Sequence, residues 1–210
     1  MVPMPAFGGL VSGVLLGALV SMLGPDVASA TQATSLREPI RLLSTSHEIE
    51  FPDRVLFSLE ADAEAEIVEI RLFYRLGGHS TRIYGYPTFT PSNRVTAEFA
   101  VKTSGASFVP SGADIEYFYE IRDAVGNTVE SERFDLEYKD PAFDWQRFQR
   151  GELVILWHDR PRSQVVEVAR DVGERLVAVK ELLGLENPRP MKAVILNSSR
   201  EAGRSFPPVS

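Results

Sequence analysis

Between Glu38 and Tyr138 the apolar residues of this chain recur at every second position, and beyond Lys139-Asp140-Pro141-Ala142 they do not. A period of two places alternate side chains on opposite faces of a strand, so each segment of the first stretch buries one face only. A parallel sheet covered on both sides reads instead as unbroken apolar runs. The change of period therefore predicts an α+β chain: an antiparallel sandwich followed by a strand–helix–strand unit.

The alternating segments are Ile40 and Leu42; Val55, Phe57 and Leu59; Val68, Ile70, Leu72, Tyr74 and Leu76, with Glu69, Arg71 and Arg75 opposite; Val95, Ala97, Phe99 and Val101; Ile115, Tyr117, Tyr119 and Ile121; and Phe134, Leu136 and Tyr138. Six or seven short strands in about 100 residues, separated by turns, suit an immunoglobulin- or fibronectin III-like sandwich over residues 37–140. Gly77-Gly78 ends the clearest strand, and Asp123-Ala124-Val125-Gly126-Asn127 reads as a hairpin turn closed by a positive φ at Gly126. Pro110-Ser111-Gly112 ahead of Tyr117 resembles the approach to a tyrosine corner.

Glu152 to His158 is an apolar run bounded by Gly151 and Arg160-Pro161, as in a strand covered on both sides. Val165, Ala169, Val172, Leu176, Val179 and Leu183 then form one helical stripe. Ser163 is the expected N-cap, Asp171 and Arg175 an i,i+4 pair, and Gly184 the C-terminal stop, with Pro188 and Pro190 beyond it. Met191 to Leu196 is a second buried strand, and Ser198 or Ser199 caps a helix running into Arg200 and Glu201. One strand–helix–strand unit does not bury both faces of its sheet. Residues 141–210 are thus expected to be incomplete, the front of a larger lobe.

Residues Phe7 to Leu23 are uncharged and apolar, Gly24-Pro25 breaks the run, and Ala28-Ser29-Ala30 offers a small-x-small cleavage site. Residues 1–30 read as an export signal, although no Lys or Arg precedes the apolar run. The alternative is an uncleaved membrane anchor through residues 7–23. The expected location is extracytoplasmic, secreted or membrane-anchored. A net charge of −7 with no basic cluster argues against nucleic acid as a partner. The absence of cysteine excludes disulfides, thiolate metal sites and Cys nucleophiles.

No residue of the chain is assigned to catalysis, cofactor binding or metal binding. His47-Glu48-Ile49-Glu50-Phe51 fails the H-E-x-x-H test, because Phe51 stands where the second ligand must be. His79 reads as a solvated loop residue. His158-Asp159 has two members of a triad, but no G-x-S-x-G accompanies it, and neighbours on a strand point to opposite faces. Asp62, Glu64 and Glu66 alternate in what reads as a loop, without the D-x-D-x-D-G pattern that would hold calcium. Tyr84, Tyr86 and Phe89 either supply rigid contact area for a sugar or protein or pack over the sandwich edge. Trp145 and Trp157 read as packing residues.

The order Asp144-Trp145-Gln146-Arg147-Phe148, then Gly151 to His158, then the helix ending Leu182-Leu183-Gly184-Leu185, then Ala193-Val194-Ile195-Leu196-Asn197-Ser198-Ser199 resembles the opening of bacterial peptidase-MA-like domains, zinc metallopeptidases of the gluzincin type. The hairpin from Tyr117 to Asn127 is similar to one in the sandwich that precedes such domains behind an export signal. The resemblance implies peptide-bond hydrolysis by a zinc-activated water, held by two His on one helix and a later Glu. None of those positions lies in this chain, so it implies zinc only in a longer parent and an inert chain as it stands. The implied partners are a protein or peptide substrate or a cell-surface component. The alternative is a non-enzymatic surface binding module.

Overall fold

The computed structural model describes residues 39–77, 79–184 and 191–206. The export-signal or anchor segment, Gly78, Pro188 and Pro190 lie outside them. Among the described residues no helix is long and apolar enough to cross a membrane.

Strand β1 (Ile40–Glu50) turns through Phe51–Asp53 into β2 (Arg54–Leu76), which is 23 residues long. The sequence suggests two strands here, but the backbone forms one that bends. Its first half lies between β1 and β4 (Ser92–Lys102). Its second half lies between β3 (Ile83–Gly85) and β5 (Ala113–Asp123). The other edge of β5 is shared by β6 (Thr128–Glu130) and β7 (Phe134–Tyr138). One strand thus passes from a layer β1–β2–β4 to a layer β3–β2–β5–β6/β7, and the seven strands form one hydrogen-bonded network. The register slips between Asp62 and Ile67 and again between Ile67 and Glu69, as a strand that changes layers requires.

The same slip corrects the alternation inferred for this strand. Ile67 is buried and Val68 is exposed, the reverse of the expected phase, and the pattern resumes at Ile70. Asp62, Glu64 and Glu66 sit inside β2 at its bend, not in a loop. The core between the layers is one cluster that includes Val55, Phe57 and Leu59 from β2, Val95 and Ala97 from β4, and Ile115, Tyr117 and Tyr119 from β5. Phe57 and Tyr117 meet across it with ring centroids 4.8 Å apart. The tyrosine that ties one layer to a loop of the other is Tyr138, not Tyr117. Its hydroxyl lies 3.0 Å from Pro52 O and 3.0 Å from Thr103 Oγ1, whereas the Tyr117 hydroxyl faces His47 Nδ1 at 3.3 Å.

After Asp140 a second sheet forms, in the order β10–β9–β8. Strands β8 (Gln146–Arg150) and β9 (Leu153–Trp157) are an antiparallel hairpin whose turn residue Gly151 has φ 58°. Helix α1 (Arg162–Leu183) crosses over to β10 (Met191–Val194), parallel to β9. The helix begins one residue before the expected cap. Pro161, with extended backbone, occupies the N-cap position, and Ser163 falls inside the first turn. Asp171 pairs with Arg170, not Arg175. Gly184 ends the helix in the left-handed region, at φ 62°. Ser198 caps α2 (Ser199–Ser205), its hydroxyl accepting the Glu201 N–H at 3.2 Å.

Every residue of β9 is buried. Leu153, Ile155 and Trp157 pack on Val165, Ala169 and Val172 of α1. The opposite face, expected to lack a cover, rests on the sandwich: a Cβ built at Gly112 would lie 2.7 Å from Val194 Cγ2 and 3.3 Å from Leu156 Cδ1. Only glycine permits that approach at φ 86°. Ion pairs frame the seam. Lys192 Nζ lies 2.6 Å from Asp114 and 2.8 Å from Glu137, Arg147 lies 2.9 Å from Glu137, and Arg204 lies 3.1 Å from Asp140. Residues Arg37–Ser210 accordingly make one compact unit.

Candidate functional site

The densest polar constellation among the described residues gathers at the end of β9. His158 is 1% exposed, and both of its ring nitrogens face carboxylates: Nδ1 is 2.8 Å from Asp159 Oδ2 and Nε2 is 3.1 Å from Glu201 Oε2. The expectation that neighbours on a strand diverge fails here, because β9 ends at Trp157 and Asp159 takes φ 52°. That left-handed residue turns the chain back so that its carboxylate reaches the preceding ring.

Asn197 donates from Nδ2 to the His158 carbonyl at 2.9 Å, and its own backbone N–H donates to Glu201 Oε2 at 2.8 Å. That backbone hydrogen bond is the foremost reason the Glu201 carboxyl sits below its ordinary range. Burial opposes it, and His158 and Ser198 add to the lowering. The ring of Phe143 stacks on the imidazole at 4.0 Å, and Trp145 presents to it at 4.8 Å, close to edge-on. Trp145 also donates from Nε1 to Asp140 O at 2.8 Å.

This arrangement fixes a proton and leaves no place for a substrate. Either tautomer of His158 donates to one carboxylate, and the cation donates to both. The adjoining cavity, between Phe143, Trp145, Glu201 and Arg204, has a volume of about 10 Å³, at the lower limit for one water molecule. The cluster therefore joins β9, the segment before β8 and the first turn of α2. Glu201 carries no signal in the sequence, because its partner lies 43 residues away.

The remaining candidates do not converge. His47 is exposed at the sandwich edge with its ring against the Tyr117 hydroxyl, and the partial burial of that ring lowers its pKa. His79 is exposed on the loop after β2. Asp62 pairs with Arg41, while the Glu64 and Glu66 carbonyls accept hydrogen bonds from Asn93 and Ala124. Among the described residues no group of three His, Asp or Glu is placed to hold a metal ion. His158 would have to give up a carboxylate to bind one. The zinc that the resemblance implies belongs to a longer parent, and none of these residues is assigned to it.

Phe89 turns in against the core, whereas Tyr84 and Tyr86 project outward and are 56% and 57% exposed. Trp157 is fully buried, with Nε1 donating to Arg160 O at 3.2 Å.

No protein-family model matches the chain, and no curated protein matches it. Among solved structures, BhCBM56, a carbohydrate-binding module crystallised as a Br derivative, aligns at 13% identity with a TM-score of 0.35, over 48% of this chain and 95% of its own. Catalytically inactive OgpA from Akkermansia muciniphila, solved with an O-glycopeptide (glycodrosocin) substrate, aligns at 8% identity with a TM-score of 0.37, over 54% of this chain and 34% of its own. Likenesses at this level carry no argument about chemistry.

Proposed function

We propose that the chain is the exported front part of a zinc metallopeptidase of the peptidase-MA-like, gluzincin type. In this reading residues 37–140 are a fibronectin III- or immunoglobulin-like spacer or docking module. Residues 141–210 are the non-catalytic half of the peptidase lobe, and the chain by itself is inert. The observation that carries the reading is the exposed end of α1. Val165 and Ala169 are buried, but Leu182 and Leu183, at the end of the helix, are 83% and 63% exposed, and Val177 and Val179 are exposed with them. The C-terminal half of the helix overhangs the β8–β9 hairpin. Between them lies a cleft of about 420 Å³, lined by Leu153, Gly173, Leu176 and Val177 and bounded by the Glu152–Lys180 ion pair. An apolar stripe of this length suits a wider sheet or a further layer of the same lobe. The three strands β1–β2–β4 facing β3–β2–β5–β6/β7 support the sandwich assignment.

The test is the coding sequence beyond Ser210. An H-E-x-x-H on a predicted helix within roughly 100 codons is expected. A stop codon ahead of any such helix overturns the reading. It would leave a non-enzymatic surface binding module, which the outward tyrosines of β3 and the segment after it favour.

A further inference from the structure

We infer that the outer face of the layer β3–β2–β5 is a binding surface for a neutral glycan built of pyranose rings, with Tyr84 and Tyr86 as the stacking platform and Arg82 as the hydrogen-bonding arm. The surface belongs to the sandwich alone and does not depend on the peptidase reading.

Strand register assembles it. Phe73 of β2 stands opposite Tyr84 of β3 on one side and Phe118 of β5 on the other, all facing away from the core. The three rings form a row across the strands, with centroids 5.8 Å apart for Tyr84–Phe73 and 5.0 Å for the stacked Phe73–Phe118 pair. Tyr86 extends the row, 5.8 Å from Tyr84 and at 87° to it. At the β5 end the row is roofed. Arg82 and Arg133 lie 5.0 Å and 4.5 Å over the Phe118 ring, which is 4% exposed. At the β3 end it is open, at the two tyrosines. Rings mounted on or next to a paired strand and flanked by neighbouring rings lose little freedom on binding, which favours affinity.

The charges beside the row select the ligand. On β2 and β5, Arg122 pairs with Glu69, Arg71 with Glu120 and Arg75 with Glu116, so these flanks neutralise themselves. Among the described residues Arg82 makes no ion pair. Its guanidinium, held over Phe118, offers N–H donors at the β5 end of the row, so a ligand stacked on the open tyrosines reaches it by extending along the row. One cation without an ion pair beside this row, on a chain of net charge −7, does not suit a polyanion. Two tyrosines and one guanidinium are also too small for an ordinary protein interface, which takes about 800 Å² from each partner. A pyranose ring meets the requirement: its C–H face stacks on an aromatic ring while its rim hydroxyls accept from arginine.

The experiment is affinity gel electrophoresis of the full chain through gels containing hydroxyethylcellulose, mixed-linkage β-glucan, xylan or galactomannan, with polygalacturonate as the anionic control. Retardation is expected with at least one neutral polysaccharide and not with polygalacturonate. Tyr84→Ala and Tyr86→Ala are each expected to weaken retention about ten-fold at an unchanged melting temperature, since both side chains are exposed. Tyr84→Phe, which keeps the ring, is expected to retain most of it. Arg82→Ala is expected to weaken retention without abolishing it. Mobility unchanged in all four neutral gels overturns the inference, as does retention that survives both alanine substitutions. Retardation by polygalacturonate alone, or Tyr-dependent capture of a protein with no glycan retained, also overturns it.

Discussion

Asp159 reaches the ring of the residue before it: its Oδ2 lies 2.8 Å from His158 Nδ1, and this contact exists because Asp159 has a positive φ of 52°. Two effects oppose each other at this position. A left-handed conformation costs a residue with a Cβ about 1 kcal/mol relative to glycine, while the carboxylate partners a buried ring nitrogen. Asp159→Ala loses the carboxylate and keeps the strain, for an expected loss of about 1 kcal/mol, modest because the carboxylate is mostly solvated. Asp159→Gly loses the carboxylate and relieves the strain, for a change near zero. Urea midpoints measured side by side decide it, and equal losses in the two variants would show that the backbone conformation contributes nothing.

His47 sets an acid limit on the sandwich. Burial lowers its pKa below the ordinary 6.5, so the unfolded chain takes up the proton first. The contribution of the neutral ring is full above about pH 6.5 and is lost as pH falls through the lower folded value. Asp123 and Glu201 act in a more acidic window. Burial pushes the Asp123 carboxyl up, but hydrogen bonds from Asn127, Val125 and Gly126 outweigh it and hold the group low. Asn197 and then His158 hold Glu201 low. Their contributions are full above about pH 4 and vanish as pH falls through the folded values. His47→Leu is expected to flatten the stability profile between pH 7 and 5 and leave the steeper fall below pH 4 in place. An unchanged slope between pH 7 and 5 would remove His47 from the account.

The alternation from Val55 to Tyr138 makes the sandwich strands legible, because each apolar residue there answers to a single buried face. What the pattern cannot show is a strand that changes layers. The slips around Ile67 reverse its phase over a few residues, so β2 reads as two strands with acids in a loop. The failure at His158 is of the same kind. The alternation rule holds while backbone stays extended, and Asp159 leaves the extended region one residue past the end of β9. Gly112 lies in the turn before β5 and Leu156 on β9, and their contact depends on how the second sheet docks on the sandwich, which local periodicity does not encode.

Gly112 is the position where that docking is most exposed to mutation. A methyl group there meets Val194 at 2.7 Å and must also accept φ 86°. Gly112→Ala is expected to cost roughly 2–3 kcal/mol, the sum of a strained backbone and an overpacked contact. Gly126→Ala, at φ 95° with nothing within 4 Å, should cost only about 1 kcal/mol. Tryptophan fluorescence reports the first directly, because Trp145 and Trp157 both lie beyond the seam. Similar losses for the two alanines would mean that the seam tolerates the extra methyl.

Tyr138 and Thr103 share the Pro52 carbonyl, which accepts from the tyrosine at 3.0 Å and from the threonine at 2.9 Å. Tyr138→Phe removes one donor and leaves the acceptor satisfied by Thr103, so the expected cost is about 1 kcal/mol. Thr103→Val in the Tyr138→Phe background leaves the part-buried carbonyl without either donor and should cost more than the two single losses combined. Strict additivity in the double-mutant cycle would show that the two hydroxyls act independently.

The seam also decides how the chain can be cut. Residues 37–140 keep both layers and the whole core between them, so they are expected to unfold in one cooperative transition. Residues 141–210 keep α1 over one face of their sheet but lose the cover on Leu156 and Val194, and Lys192 and Arg147 lose the carboxylates of Asp114 and Glu137. A segment of about 70 residues with one covered face falls below what a single core ordinarily sustains. Circular dichroism on the two fragments tests this: a sharp thermal transition in the isolated 141–210 segment would show that its sheet does not need the sandwich beneath it.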